Sequence, residues 1–219
     1  PVFCPADGCY KLGAWIRDSM AGIGTVTFYD PVTGAFGALG HGINDVDTAL
    51  LMPLESGSIL PASVAGVKKG EVGAPGQLRG SFDTGATLGV LTANTAHGIF
   101  GALDGASFEG TAVETAAREE VRAGDAVIRS NISGDSVEEY AIRILKVYPG
   151  GSVADGRDFL IRATDPRLLE TTGGIVQGMS GSPILQDGKL VGAVTHVLVD
   201  DPTEGYGIFI GRMLAETER

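Results

Sequence analysis

The chain has 219 residues, of which 43% are hydrophobic and only 6% aromatic, and its formal net charge is −11. This length supports one large domain or two small lobes with a sizeable core, and the hydrophobic content excludes a disordered chain. The acidic balance argues against a nucleic-acid partner, because phosphate binding needs a basic face. The 34 glycines and the few aromatic residues favour many short strands and turns, as in an all-β sandwich or barrel.

Two cysteines, Cys4 and Cys9, lie near the start of the chain. They either form a small disulfide loop in an oxidising compartment or remain free thiols, and the sequence leaves both interpretations open. Two thiols are too few for a structural zinc site without added histidines, so we predict no metal. No stretch approaches the ~18 apolar residues of a membrane span, so we expect none in this segment.

Short apolar runs bounded by turn residues fill the first half of the chain. Residues 14–43 predict two or three antiparallel strands, with a strong turn signal at 30–34. Residues 44–110 alternate apolar runs with glycine-containing turns. The segment 114–121 is more charged and predicts one helical turn or a connector, so we place a boundary near residue 112. It divides the chain into an N-terminal lobe, 1–112, and a C-terminal lobe, 113–219.

The second half of the chain also has strand patterns. Strands are predicted at 125–131, 138–148 and 157–164, and Asp165-Pro166 ends the last of these. A hairpin follows with Asp187-Gly188 at its tip, a common turn pair. Residues 206–214 predict a strand that continues into a short helix.

The most informative stretch is Gly178-Met179-Ser180-Gly181-Ser182, in which Ser180 follows Gly-x and is followed directly by a second glycine. Glycine can adopt backbone angles that other residues avoid. A turn of this kind can present a serine hydroxyl and leave backbone N–H groups unpaired for a substrate oxygen. The pattern alone is weak, because an ordinary Gly/Ser hairpin turn also fits it.

A serine nucleophile needs a base within hydrogen-bonding reach, and the chain has three histidines. His41 lies between two glycines at the end of a predicted strand, which suits a side chain that projects into a cleft. His97 has apolar neighbours, which indicates a structural or surface role. His196, on the strand after the serine turn, either lines a pocket or is an ordinary strand residue.

Residues 178–195 resemble the nucleophile segment of chymotrypsin-like serine peptidases, which reads Gly-Asp-Ser-Gly-Gly-Pro, then a hairpin often tipped Gly-Lys-Leu, then Gly-Ile-Val-Ser. More narrowly, the chain resembles the SpoIVB family of sporulation peptidases. The stretches that carry this resemblance are spread over most of the chain: 16–29, 37–41, 172–183, 192–197 and 201–207. The resemblance implies an all-β, chymotrypsin-like fold of two antiparallel β-barrel lobes with little helix and a site between the lobes.

The resemblance also implies roles for single residues. Ser180 is the nucleophile, His41 is the general base, and the N–H groups of Gly178 and Ser180 form the oxyanion hole. Ser182 stands where the broad family usually has glycine, so we expect it to shape the turn. The acid that orients the base matches Asp165, fifteen residues before the serine.

The sequence leaves open both a different role for Asp165 and a different aspartate as the acid. Asp165 follows an apolar strand that could enter the cleft, but an aspartate before a proline also suits a turn cap. Asp45 and Asp47, just after His41, are rival candidates for the acid.

The implied substrate-binding positions lie on both sides of the serine: Gly174, Gln177, Thr195, His196 and Val197. Two positions depart from trypsin-like enzymes. Met179 stands where those enzymes have the aspartate that pairs with a freed N-terminal amine, and Gly174 stands where they have the acid that binds Arg or Lys. Neither that activation route nor that pocket for basic residues is supported.

The resemblance thus implies a serine endopeptidase that needs no metal or cofactor. The family is secreted from the forespore into the space between two membranes. There it cleaves the external part of a membrane regulator, which releases a mother-cell sigma-factor pathway, and it also cleaves itself. A non-catalytic peptide-binding module on the same fold is the alternative. An esterase is less favoured, because the order His…Ser differs from the Ser…Asp…His order of α/β-hydrolases.

Overall fold

The computed structural model of the chain describes residues 2–11, 20–104, 111–148 and 156–218. In these ranges strands dominate and helices are short. The strands are β1 (Val2–Cys4), β2 (Cys9–Lys11), β3 (Val26–Tyr29), β4 (Ala35–Ala38), β5 (Ser58–Ile59), β6 (Ala62–Lys68), β7 (Gln77–Phe82), β8 (Gly89–Thr95), β9 (Gly98–Leu103), β10 (Gly124–Ser130), β11 (Glu138–Val147), β12 (Phe159–Ala163), β13 (Pro183–Gln186), β14 (Lys189–Val197) and β15 (Glu204–Phe209). The helices are a 3₁₀ turn (Arg118–Glu120), α1 (Pro166–Thr172) and α2 (Ile210–Thr217).

The C-terminal half forms a closed antiparallel barrel in the order β10-β11-β12-β15-β14-β13. Alternation along its strands decides which side chains point inward, because successive residues of a strand face opposite sides. In β11, for example, Tyr140, Ile142 and Ile144 are buried, whereas Glu139 and Arg143 are exposed. The buried residues pack with isoleucines and Phe159 of neighbouring strands into one core.

The N-terminal half contributes an open five-stranded sheet in the order β3-β4-β9-β8-β5. Phe36, Ile99 and Leu103 form its own small core. A further core cluster joins this sheet to the barrel, since Phe100 packs with Ile208 and with Met213 of α2. The two halves therefore share a buried interface.

The β6–β7 hairpin precedes the predicted boundary near residue 112 but packs against the barrel. Val64 and Leu78 belong to the barrel's core cluster. The backbone N–H of Leu78 donates to the carbonyl of Gln177 at 2.8 Å. The hairpin thus contacts the segment that leads to the predicted nucleophile.

The predicted all-β class with two lobes and little helix is confirmed. The strand-then-helix pattern at 206–214 is also confirmed, as β15 followed by α2. Helix α1 was not predicted. Asp165 is its N-cap, proline follows at the first helical position, and Gly173 ends it in the left-handed region with φ of 76°. Residues 14–19 of the first predicted strand region lie outside the described ranges.

Cys4 and Cys9 lie directly opposite each other in the β1–β2 hairpin. Both are free thiols in this structure, and the Cys4 thiol is 3.4 Å from Asp7 Oδ2. Among the described helices, none is both long and apolar enough to cross a bilayer.

Candidate active site

The Gly178–Ser182 turn connects α1 to β13, at the edge of the barrel. Its sharp backbone path depends on two glycines in the left-handed region, with φ of 99° at Gly178 and 89° at Gly181. Side chains rarely tolerate these angles, which explains why glycine flanks the serine at both positions. The turn leaves Ser180 half-buried between two glycine hinges.

The hydroxyl of Ser180 points towards strand β14. Its Oγ donates a hydrogen bond to the carbonyl oxygen of Thr195 at 3.1 Å. Ser182 behaves differently, because its side chain is fully buried and its hydroxyl bonds to Ser130 Oγ at 3.2 Å. Of the two serines, only Ser180 is partly open to solvent.

The backbone of the turn leaves donors next to Ser180. Met179, Gly181 and Ser182 each donate their N–H to a backbone carbonyl. Within the described ranges, the N–H groups of Gly178 and Ser180 make no such bond. Unpaired N–H groups at these two positions are the arrangement that an oxyanion hole requires.

His41 follows a tight turn at the end of β4. Leu39 and Gly40 both have left-handed backbones, with φ of 68° and 72°. Gly40 must be small, since a Cβ there would lie 2.9 Å from Thr195 Cγ2 and 3.0 Å from Ile208 Cγ2 of the barrel. The turn therefore places His41 directly against strand β14 of the second lobe.

The imidazole of His41 is held by two contacts. Its Nδ1 lies 2.9 Å from the carbonyl oxygen of Gly42. Because a carbonyl only accepts, this contact makes Nδ1 the protonated nitrogen and leaves Nε2 able to accept a proton in the neutral ring. The His196 ring packs on His41 with centroids 5.2 Å apart and planes at 39°.

Ser180 and His41 thus both lie against β14, where the two halves of the structure meet. Ser180 bonds to Thr195, and the next residue on that strand, His196, contacts His41. In the described part of the chain no hydrogen bond joins Ser180 to His41. The hydroxyl must turn from Thr195 towards His41 before the imidazole can take its proton.

A family model described as SpoIVB peptidase S55 matches residues 8–214, nearly the whole chain. The chain belongs to the SpoIVB peptidase family. It is therefore a serine peptidase, and the predicted resemblance and enzyme class are confirmed. The comparison with curated proteins finds no match.

Solved structures of Rv3671c protease are similar to this SpoIVB peptidase at a low level. The active form from M. tuberculosis is 15% identical, with a TM-score of 0.43, 93% of this chain covered and 92% of that chain. An inactive form is 19% identical, with a TM-score of 0.42 and coverages of 65% and 72%.

Asp165, the predicted acid, lies at the other end of α1 from the nucleophile turn. Its carboxylate caps the helix by accepting from the N–H of Arg167 at 2.9 Å, and it also accepts from the N–H of Ala141 at 3.3 Å. The Arg167 guanidinium donates to both carboxylate oxygens, at 3.2 and 3.0 Å. This pairing lowers the pKa of Asp165 from its ordinary 3.8 to about 2.

The described structure joins Asp165 to Ala141 and Arg167, and it joins Nδ1 of His41 to the carbonyl of Gly42. Neither contact connects the predicted acid to the base. The acid role of Asp165 in this SpoIVB peptidase stays a prediction that rests on the resemblance.

The rival aspartates lie in the loop after His41. Asp45 Oδ1 accepts from the N–H groups of Asp47 and Thr48 and from the Thr48 hydroxyl, all within 3.1 Å. This pattern is a side-chain turn that closes the loop, as aspartate often does. It gives the Asp45 carboxylate a structural role in the loop after His41.

The implied substrate-binding residues differ in burial and in their contacts. Gly174 is buried, and a Cβ there would lie 2.1 Å from the carbonyl oxygen of Pro202. Gln177 is exposed and bonds through its N–H to Gly76. Thr195 is buried, whereas His196 and Val197 are half-buried at the open end of β14. Thr195 and His196 lie beside Ser180 and His41, and substrate binding at these five positions stays a prediction.

Two contacts of the site were not predicted. Thr25, just before β3, and Thr27, within it, bond to the nucleophile turn. The Thr25 N–H donates to the Ser180 carbonyl at 2.9 Å, and the Thr27 hydroxyl donates to the Gly181 carbonyl at 2.8 Å. Both threonines belong to a stretch of the family resemblance, but a sequence signal for such long-range bonds does not exist. Among the described residues no group of three or more His, Cys, Asp or Glu could hold a metal ion.

Proposed function

We propose that this serine peptidase is a sporulation signalling endopeptidase. It cleaves the external segment of a membrane regulator of sigma-factor processing, and it cleaves its own chain. It acts after secretion from the forespore into the intermembrane space of a sporulating bacterium. The observation that supports this proposal is the SpoIVB family match over residues 8–214, because that family is named for this process.

The proposed chemistry begins with proton transfer. Nε2 of His41 takes the proton of the Ser180 hydroxyl as Oγ attacks the peptide carbonyl carbon. The negative oxygen of the tetrahedral intermediate accepts hydrogen bonds from the N–H groups of Gly178 and Ser180. Both groups are unpaired in the described structure. Loss of one such donor typically slows the reaction by about 10²–10³-fold.

The intermediate then breaks down to an acyl-enzyme. His41 gives its proton to the leaving amine, and the C–N bond breaks to leave an ester on Ser180. Water, deprotonated by His41, attacks this ester, and Ser180 recovers its proton as the acid product leaves. Each proton passes through one imidazole, so neither a metal nor a cofactor takes part.

The first experiment tests self-cleavage in trans. Wild-type protein is mixed with a tagged Ser180→Ala chain, and the fragments are mapped by mass spectrometry. We expect defined cleavage of the tagged chain by wild-type protein and none by a second Ser180→Ala sample. Intact tagged chain under all conditions would contradict the self-cleavage proposal.

The second experiment uses the external segment of the membrane regulator from the same bacterium. Wild-type protein should cut this segment at a defined bond, and Ser180→Ala should bind it without cutting. Binding without cleavage by the wild type would instead favour the peptide-binding alternative. Cleavage of unrelated unfolded proteins at an equal rate would contradict a signalling role.

A further inference from the structure

Two residues, Thr25 just before β3 and Thr27 within it, contact both halves of the proposed active site. The Thr27 hydroxyl donates to the Gly181 carbonyl at 2.8 Å, and the Thr25 N–H donates to the Ser180 carbonyl at 2.9 Å. The Thr25 carbonyl in turn accepts the N–H of Leu39 at 3.2 Å, in the turn that leads to His41. One short segment of the first lobe is therefore bonded to the turns of the nucleophile and of the base.

This contact is close and largely buried. Thr27 is 6% exposed. A Cβ on Gly181 would lie 2.1 Å from the Thr25 carbonyl oxygen and 2.6 Å from the Leu39 nitrogen. The backbones of the two lobes thus meet here with no room for a side chain between them, so small shifts of either turn are transmitted directly.

The hydroxyl of Thr27 needs an explanation beyond strand propensity. Valine has the same shape and suits a strand at least as well. A buried hydroxyl costs free energy unless it is hydrogen-bonded, and here its partner is the carbonyl next to the nucleophile. The hydroxyl of Thr27 therefore bonds to the nucleophile turn, while its methyl group gives the branched shape that suits a strand.

The two bonds fix consecutive peptide planes on the C-terminal side of Ser180. The carbonyl of Ser180 is held by Thr25, and the carbonyl of Gly181 by Thr27. The N–H of Gly181 is held from the other side by the carbonyl of Val194 at 2.8 Å. With these groups fixed, the direction of the Ser180 side chain and of its own N–H is restricted.

We propose that Thr27 is a positioning residue of this peptidase. Its hydroxyl holds the nucleophile turn against the His41 turn, so that productive alignment of Ser180 depends on this bond between lobes. The inference rests on the proposed function, in which Ser180 attacks and His41 accepts its proton.

The test compares Thr27→Val, which keeps the shape and removes the hydroxyl, with Thr27→Ser, which keeps the hydroxyl. For each full chain we measure the rate of Ser180 labelling by a fluorophosphonate, together with kcat and KM on a peptide cut by the wild type. We expect Thr27→Val to lower kcat and the labelling rate by about 10–100-fold with little change in KM, since small misplacements of reacting groups cost this much. Thr27→Ser should recover most of the wild-type rate.

Circular dichroism checks that each variant is folded. All rates are measured well below the unfolding temperature of each variant. If Thr27→Val does not fold, Thr27→Ala is compared with Thr27→Ser in the same way. Wild-type rates in folded Thr27→Val, or in Thr27→Ala where that replaces it, would overturn the positioning role. Equal losses of rate in that variant and in Thr27→Ser would overturn it too. A wild-type protein that is never labelled would overturn the proposed function, and the role of Thr27 with it.

Discussion

At the scale of single residues, the two serines of the turn have separate tasks. Ser180 is half-buried with its hydroxyl on Thr195, whereas Ser182 is fully buried and bonded to Ser130. We expect Ser182→Ala to keep most of the activity and to lower the free energy of unfolding by about 1 kcal/mol, the usual contribution of one hydrogen bond. Thermal unfolding and peptidase assays check this, and a Ser182→Ala protein as inactive as Ser180→Ala would contradict it.

The acid of the site is a second prediction at this scale. We predict that Asp165→Asn loses most of the peptidase activity, while Asp45→Asn and Asp47→Asn retain it. Asparagine also caps helices well, so the variant keeps the N-cap of α1 and a loss of activity is not a loss of fold. If folded Asp165→Asn retains activity, the roles of Asp165 are limited to helix capping and the pairing with Arg167. Loss in an Asp45 or Asp47 variant would move the acid to that loop.

The pairing of Asp165 with Arg167 also predicts a pH dependence of stability. Its pKa is lowered from 3.8 to about 2 in the folded protein, so the folded state favours the charged carboxylate. This contribution is fully present above pH ~4 and is lost as the pH falls towards 2. We expect the difference in unfolding free energy between wild type and Asp165→Asn to shrink over that interval. A constant difference would contradict the assignment.

At the scale of elements, the nucleophile turn depends on close packing as well as on backbone angles. Gly181 and Gly188 both have positive φ, 89° and 80°, but only Gly181 would place a Cβ against another backbone, whereas nothing lies within 4 Å at Gly188. We expect Gly181→Ala to abolish Ser180 labelling. Gly188→Ala should cost only about 1–2 kcal/mol of backbone strain and keep the labelling.

Labelling rates and unfolding curves of the two alanine variants provide the check. Equal labelling in both variants would show that the contact with Thr25 and Leu39 is not needed for the site. Equal loss in both would show that backbone strain alone explains the effect.

The elements also show what the sequence could predict. Strand alternation identified the barrel strands, and Asp187-Gly188 identified the tip of the β13–β14 hairpin. Asp165-Pro166 predicts the end of a strand, but an aspartate followed by proline is also the start signal of a helix, and here it begins helix α1. The bond from Thr27 to Gly181 was out of reach, since it joins residues 154 positions apart and depends on how the lobes pack.

At the scale of the whole molecule, the lobes are joined by contacts other than those at the proposed active site. His97, in the turn between β8 and β9, pairs through Nδ1 with Glu216 Oε1 of α2 at 2.8 Å, and the Glu216 side chain is 7% exposed. Phe100 and Met213 pack in the same interface. The predicted structural role of His97 thus corresponds to a bond between the first sheet and the C-terminal helix.

This pair predicts a measurable contribution to stability. We expect Glu216→Gln to lower the unfolding free energy by about 1 kcal/mol, a value already discounted for the partial exposure of His97. This loss corresponds to a fall of about 2–4 °C in Tm. The exposed Glu218, on the same helix end, is the matched control, and Glu218→Gln should change Tm by less than about 1 °C. Equal shifts in the two variants would contradict a specific role for the pair.

The central claim is that Ser180 is a nucleophile activated by His41 at the contact between the two lobes. The most direct measurement is reaction of the folded protein with a fluorophosphonate, with the modified residue located by mass spectrometry. We predict a single adduct on Ser180 in the wild type, no adduct in Ser180→Ala, and a labelling rate lowered by at least about 10²-fold in His41→Ala. An adduct on another serine, or wild-type labelling in His41→Ala, would contradict the claim.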